Sequence, residues 1–144
     1  MELYVEYESY CTDSYHSGEQ YGDWHEHRDH RIEGVRLSKP SFSGSEKFTV
    51  DYDVKPGDNV YVLVMVYGTG DSFGHSTGNV EILWVFKDIK VAREAERKIN
   101  NLGEDAYSMK IKTDSGKTIQ LSNPSAGYFE SLEHLHIQVC EVQK

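Results

Sequence analysis

A dense cluster of histidines and acidic residues lies between residues 25 and 30. Its order, His-Glu-His-Arg-Asp-His, fits the pattern His-x-His-x-Asp-His. Imidazoles and a carboxylate in one segment can close on a zinc ion and leave a coordination position open for water. The chemistry that this pattern predicts is zinc-dependent hydrolysis, with the metal ligands His25, His27, Asp29 and His30.

The same six residues resemble the metal motif of the metallo-β-lactamase superfamily, in which they ligate one or two zinc ions. The resemblance ends at these positions. Asp23-Trp24 precede the motif, and Arg31-Ile32-Glu33 follow it where that superfamily carries small residues. Arg28 in the segment and Arg31 directly after it would repel a dication. A solvated loop of mixed charge is therefore the alternative interpretation, and the chain is expected to carry no cofactor.

A second candidate site is the stretch from residue 68 to residue 79, Gly-Thr-Gly-Asp-Ser-Phe-Gly-His-Ser-Thr-Gly-Asn. It lies between two apolar β-type runs, which a turn of about two to five residues would connect. Four glycines free the backbone, and the polar side chains concentrate hydrogen-bonding groups. We therefore predict a long loop that carries a binding site, formed by Thr69, Asp71, Ser72, Phe73, His75 and Asn79.

Four interpretations of this loop stay open. Its N–H groups and hydroxyls could hold a small anionic ligand such as a nucleotide, although the following helix and the Gly-Lys-Ser/Thr ending of standard phosphate loops are missing. Gly-Asp-Ser resembles a block of serine hydrolases, but no oriented base accompanies Ser72. Asp71 and Ser72 could instead cap their own backbone. Finally, Phe73 and its polar rim could contact another macromolecule.

The elements that must position both segments are mostly strands. Asp88 is placed to cap one helix of about residues 89–102, whose apolar positions recur at three- and four-residue steps. Residues 12–29, 68–79 and 122–133 are predicted loops. Apolar alternation or continuous β-branched runs predict strands at residues 3–10, 32–37, 48–54, 60–67, 80–86, 107–112, 118–121 and 134–142. The predicted fold class is α+β, a predominantly antiparallel sheet of about eight short strands with one main helix, in a single domain of residues 1–144.

Composition limits the partners. Lys and Arg total 15 against 24 for Asp and Glu, and the formal charge of -9 opposes binding to free nucleic acid or to an anionic membrane. The first residues lack the basic and apolar regions of a secretion signal, and no window has the length of a membrane span. A cytoplasmic location is expected. Cys11 and Cys140 are too few for a disulfide framework, so free thiols are predicted.

The chain resembles small bacteriophage proteins with the motif Tyr-(Ser/Thr/Gly)-x-Gly-Asp-Ser-Phe-Gly. The resemblance rests on the block Tyr67–Gly74, on Gly78-Asn79, and on Trp84–Asp88 ahead of an Ala-containing helix. The similarity runs from Leu3–Ser9 through Val54–Asp58 to the helix. It implies a phage origin and a location in the host cytoplasm, but no activity and no functional residue.

Because the residues offer no convincing catalytic set, the expected function is that of a non-enzymatic phage accessory protein. Such a protein would bind, and inhibit, a host protein such as a defence-system component, through the surface around the Gly-rich stretch. Two alternatives stay open. One is a binder of a small anionic or nucleotide ligand, and the other is the zinc-dependent hydrolase.

Overall fold

A computed structural model describes residues 1–16, 24–40, 44–71, 74–102, 109–121 and 129–144. In this part of the chain, eight strands and one helix form an α+β fold, as predicted. The elements in chain order are β1 Glu2–His16, β2 Trp24–Arg36, β3 Ser45–Thr49, β4 Asn59–Asp71, β5 Gly74–Phe86, α1 Ile89–Leu102, β6 Met109–Lys112, β7 Thr118–Leu121 and β8 Phe129–Gln143.

Six strands form one sheet in the order β3-β1-β2-β5-β4-β8, and β6 and β7 form a separate hairpin. Most neighbours are antiparallel, as expected, but β2 makes the sheet mixed. It runs parallel to β5 over Trp24–His27 and parallel to β8 at Val35 and Arg36. The first part of β2 therefore pairs with β5, and its last part pairs with β8. Five strands are 13 to 15 residues long, so the prediction of short strands is wrong for them.

The strand β4 separates two apolar cores. Val60, Val62 and Val64 pack with residues of β1, β2 and β3 on one side. Leu63 and Met65 pack against α1 and β6 on the other side. All five side chains are fully buried. The run of apolar residues at 60–67 therefore marks a central strand covered on both faces, as the sequence predicts.

The start of α1 is fixed by two aspartates. Asp88 caps the helix as predicted, because its Oδ1 accepts the backbone N–H of Lys90 at 2.8 Å. The carboxylate of Asp114, in the β6–β7 turn, accepts the backbone N–H of Lys87 at 3.1 Å and that of Asp88 at 2.8 Å. Burial raises the pKa of Asp114, and these two N–H donors oppose the rise. The small hairpin is thereby tied to the beginning of the helix.

Replacing Asp114 by alanine removes both acceptors and leaves the N–H groups of Lys87 and Asp88 without them. We expect a loss of about 1–1.5 kcal/mol in the free energy of unfolding. Urea denaturation followed by circular dichroism measures it. The matched control is Asp53→Ala, which removes an exposed carboxylate. Equal shifts for the two variants would show that the hydrogen bonds of Asp114 contribute nothing specific.

Two further predictions, a type II turn and free cysteine thiols, are confirmed. In the turn Lys55-Pro56-Gly57-Asp58, the N–H of Asp58 donates to the carbonyl of Lys55 at 3.1 Å, and Gly57 has φ of 96°. These are the features of a type II turn with glycine at its third position. Cys11 and Cys140 are free thiols, the first exposed and the second buried.

Several predicted boundaries are wrong. The loop predicted at residues 12–29 begins as the end of β1 and ends as the first part of β2. The strand predicted at 48–54 is β3, which stops at Thr49, and the loop predicted at 122–133 gives way to β8 at Phe129. Polar residues extend β1, β2 and β8 because partner strands satisfy the hydrogen bonds of their backbone. The described residues contain no helix with the length and apolarity that a membrane crossing requires.

Candidate functional site

The Gly-rich stretch forms a β-hairpin. β4 continues to Asp71, β5 begins at Gly74, and these two residues pair with each other. Only residues 72 and 73 lie between them, so the predicted twelve-residue loop is wrong, and the strands use the short connection typical of hairpins. Ser72 and Phe73 lie outside the described residues, as does the side chain of Asp71.

Two glycines of this hairpin let β2 lie directly against β5. A Cβ atom on Gly74 would stand 2.3 Å from the carbonyl oxygen of Trp24, and one on Gly78 would stand 2.0 Å from that of Arg28. Gly78 also has a positive φ of 72°. Real Cβ contacts are never this short, so only glycine fits at either position. These glycines permit a close approach of backbones rather than a flexible loop.

The resulting contact brings distant residues onto one face of three strands. In the register of β1, β2 and β5, Tyr15, His25 and His75 form one row, and Asp13, His27 and Thr77 form the next. A third row continues on β1 and β2 with Tyr10 and Asp29. Directly opposed residues share a face of a sheet. We call these eight residues the tip face.

Cross-strand contacts hold five of the six side chains in the first two rows. Nδ1 of His25 lies 2.7 Å from Nε2 of His75, and Nδ1 of His27 lies 2.5 Å from Oγ1 of Thr77. The ring of Tyr15 stacks on His25 with a centroid separation of 4.9 Å. In this contact one imidazole nitrogen donates and the other accepts, so the tautomers of His25 and His75 are linked.

Aromatic surface is exposed on the tip face. Tyr10 is 42% exposed and Tyr15 is 45% exposed, which places both among the exposed large hydrophobic residues. Tyrosine is enriched where proteins bind each other. The tip face therefore offers two aromatic rings beside ordered imidazoles and a hydroxyl.

The predicted zinc ligands are divided between the two sides of β2. His25, His27 and Asp29 alternate along the tip face, whereas His30 points to the opposite side and stacks on His136. Successive residues on one side of a strand are roughly 6.5–7 Å apart. In the described ranges, no group of three His, Cys, Asp or Glu side chains is placed to hold a metal ion.

His30 belongs to a stack of three imidazoles. Its ring lies 5.3 Å from that of His136, which lies 5.6 Å from that of His134. The Nδ1 atom of His30 is buried without a hydrogen-bond partner among the described residues, and the nearest carboxylate oxygen, from Asp29, is 3.9 Å away. Burial lowers the pKa of both His30 and His136, which favours neutral rings. The last member of the histidine segment therefore lies with His134 and His136, apart from His25 and His27.

The other predicted binding residues lie elsewhere in the hairpin. The side-chain amide of Asn79 donates to the carbonyls of Tyr67 and Ser76 at 3.2 and 3.1 Å, and its oxygen accepts the hydroxyl of Ser76 at 3.1 Å. Asn79 therefore stabilises the irregular pairing next to Gly78. Thr69 lies between Ser76 of β5 and Phe129 of β8 in the sheet register. Among the predicted binding residues, the structure places His75 on the tip face.

Sequence reasoning missed a pair of carboxyl groups. Glu46 of β3 and Glu81 of β5 lie in a cleft of about 260 Å³, which is also lined by Phe48, Trp84 and Leu121. Burial, and secondly repulsion by Glu81, raises the pKa of Glu46 to about 7. Burial also raises the pKa of Glu81. The one sequence signal was a glutamate inside the apolar run Val80–Phe86, but its partner lies on a strand that is not paired with β5.

Comparison with protein-family models, with curated proteins and with solved structures finds no match for this chain.

Proposed function

We propose that this chain is a non-enzymatic binding protein that recognises a protein partner through the tip face. The observation that carries the proposal is the ordered row of Tyr15, His25 and His75 across three strands. Side chains that are already fixed lose little conformational entropy when a partner binds. Tyrosine is a typical anchor residue of protein interfaces.

The charge of the face and of the whole chain indicates the kind of partner. Asp13 and Asp29 place carboxylates beside the aromatic rings, and the net charge is -9. An acidic protein attracts a basic partner surface and repels polyanions. The resemblance to bacteriophage proteins makes a host protein the expected partner, with inhibition of that protein as the consequence of binding. The same carboxylates disfavour the alternative of a small anionic ligand at this face.

The double variant Tyr10→Ala/Tyr15→Ala is expected to lose partner binding by about tenfold or more, because it removes both aromatic anchors. The measurement is a quantitative pull-down from host lysate, followed by affinity measurement with the purified partner.

The matched control for this experiment is Tyr4→Ala, which removes a half-buried tyrosine at the other end of the same strand. Thermal melts of all variants verify folding. A partner captured equally by wild type and the double variant would refute the assignment to the tip face. A lysate in which wild type and double variant show the same background would refute protein binding by this face altogether.

A further inference from the structure

Within the described ranges, the outer edge of β8 is paired only near its C-terminal end. On its inner side β8 pairs with β4, and on its outer side β2 pairs only with Val142 and Gln143. No other described residue pairs with this outer edge. An unpaired strand edge presents a row of backbone N–H and C=O groups that a further strand can use.

The hydrogen-bond pattern shows which residues offer those groups. Val142 bonds with Gly57 and Asp58 on the β4 side, and Gln143 accepts the N–H of Leu37 on the β2 side. In an antiparallel pair the inward and outward backbone groups alternate by residue. The pairing has no register shift between Val66 and Asn59 of β4. Consequently, the backbone groups of Leu135, Ile137, Val139 and Glu141 point outward.

A groove of about 600 Å³ runs beside this edge, between β8 and α1. Three of the outward residues, Leu135, Ile137 and Val139, also line the groove with their side chains on the helix side of the sheet. Val139 is 54% exposed, more than any other large apolar residue among those described. The free backbone and the apolar floor therefore come from the same residues.

The helix wall of the groove is positively charged. Arg93 and Arg97, one turn apart on α1, line it together with Glu96, and both arginines are exposed. Neither arginine forms an ion pair within the part of the chain that the structure describes. Guanidinium groups form strong, bidentate hydrogen bonds with carboxylates. The net charge of the chain is -9, but two guanidinium groups and a single carboxylate line this wall of the groove.

We propose that the β8 edge and this groove bind an extended acidic segment of a partner protein by strand addition. The backbone of the segment bonds to the outward groups of Leu135, Ile137 and Val139. Its alternate side chains point into the groove, where an apolar residue covers Val139 and a carboxylate meets Arg93 or Arg97. This site lies at the edge of β8, whereas the tip face is formed by β1, β2 and β5. The proposal therefore does not depend on the function proposed for the tip face.

The test uses two fluorescein-labelled nine-residue peptides, one alternating valine with glutamate and the other alternating valine with lysine. Fluorescence anisotropy with the full chain is expected to show binding of the glutamate peptide alone. The double variant Arg93→Glu/Arg97→Glu should weaken that binding by about tenfold or more, since two attractive charge contacts become repulsive. Higher salt should weaken the wild-type complex as well.

A matched pair at one position tests the strand ladder itself. Val139→Pro removes one outward N–H, and proline is tolerated at strand edges where the N–H faces solvent. Val139→Thr keeps the N–H and the β-branched shape. The proline variant should lose glutamate-peptide binding and the threonine variant should retain most of it, while circular dichroism shows both folded.

Three results would overturn the proposal. Absence of glutamate-peptide binding is the first, and equal binding by the proline and threonine variants is the second. The third is sedimentation showing that a second copy of the chain occupies the edge, with a dimer that Val139→Pro dissolves.

Discussion

Gly78→Ala is expected to destabilise the protein by about 4 kcal/mol. Two physical terms combine at this position. A positive φ is unfavourable for alanine by roughly 1–2 kcal/mol, and Gly78 has φ of 72°. In addition, the new Cβ would stand 2.0 Å from the backbone oxygen of Arg28, which must move away with its strand.

The separation of β2 from β5 would also disturb the tip face. The contacts of His25 with His75 and of His27 with Thr77 depend on that approach. We therefore expect Gly78→Ala to reduce partner binding as well as stability. Guanidinium or urea denaturation gives the free energy of unfolding, and the pull-down described above gives the binding.

Gly116→Ala is the matched control. Gly116 has a similar φ of 86°, but a Cβ there would meet no atom within 4 Å. Its substitution is therefore expected to reduce stability by only about 1–2 kcal/mol, the backbone term alone. The difference between the two variants measures the close approach of β2 to β5. Equal losses would contradict the packing of these two strands.

Features that depend on neighbouring residues were predictable from the sequence. The apolar run Val60–Tyr67 became a central strand because both of its faces needed burial. The helix α1 begins after Asp88, as the capping position indicates, and Pro56-Gly57 forms the expected turn. In each case the determining contacts lie within a few residues of one another, or in the apolar pattern itself.

Features that depend on distant strands were not predictable in the same way. Polarity and glycine content predicted loops at the ends of β1 and β2 and at the β4–β5 hairpin. The starts of β2 and β5 are strands because they pair with each other in parallel, which joins residues about fifty positions apart. The ends of β1 and β4 pair with the strand that follows each of them, and the end of β4 also pairs with β8. Gly74 and Gly78 were predicted to make a loop flexible. In the structure they allow the backbone of β2 to lie directly against β5.

In the candidate site as well, the residue types were predictable from the sequence, but the grouping of distant residues was not. His25, His27 and Asp29 were identified as a chemical cluster, and they do share one face of β2. Sequence spacing alone assigned His30 to the same cluster, but strand geometry places it on the other side. His75 and Tyr15 enter the tip face through pairing of β2 with β5 and β1. The chemistry of single residues could be predicted from the sequence, whereas their neighbours in space are determined by strand pairing in the sheet.

The cleft between β3 and β5 leads to a prediction about pH. Burial, followed by repulsion from Glu81, raises the pKa of Glu46 from 4.5 to about 7. Between these two values the folded state holds a proton that the unfolded state has released. Stability contributed by this proton is complete below about pH 4.5 and is lost as the pH rises towards 7. At pH 8 the folded protein must keep a half-buried negative charge beside Glu81.

Glu46→Gln removes that charge at every pH while keeping the shape of the side chain. We expect the variant to be more stable than wild type by about 2 kcal/mol at pH 8, a value reduced from the full pKa shift because Glu46 is only half-buried. Near pH 4.5 the advantage should vanish, since wild-type Glu46 is then protonated in the folded state. Urea denaturation at a series of pH values measures the difference directly.

The exposed helix residue Glu94 supplies the comparison that isolates burial as the cause. Glu94→Gln changes the net charge by the same amount, so any general relief of the repulsion in an acidic chain affects both variants alike. Only Glu46→Gln should show a gain in stability that grows between pH 5 and pH 8. A gain of equal size at all pH values would place the raised pKa of Glu46 in doubt, because it would show that the carboxyl group is no more protonated in the folded state than in the unfolded one.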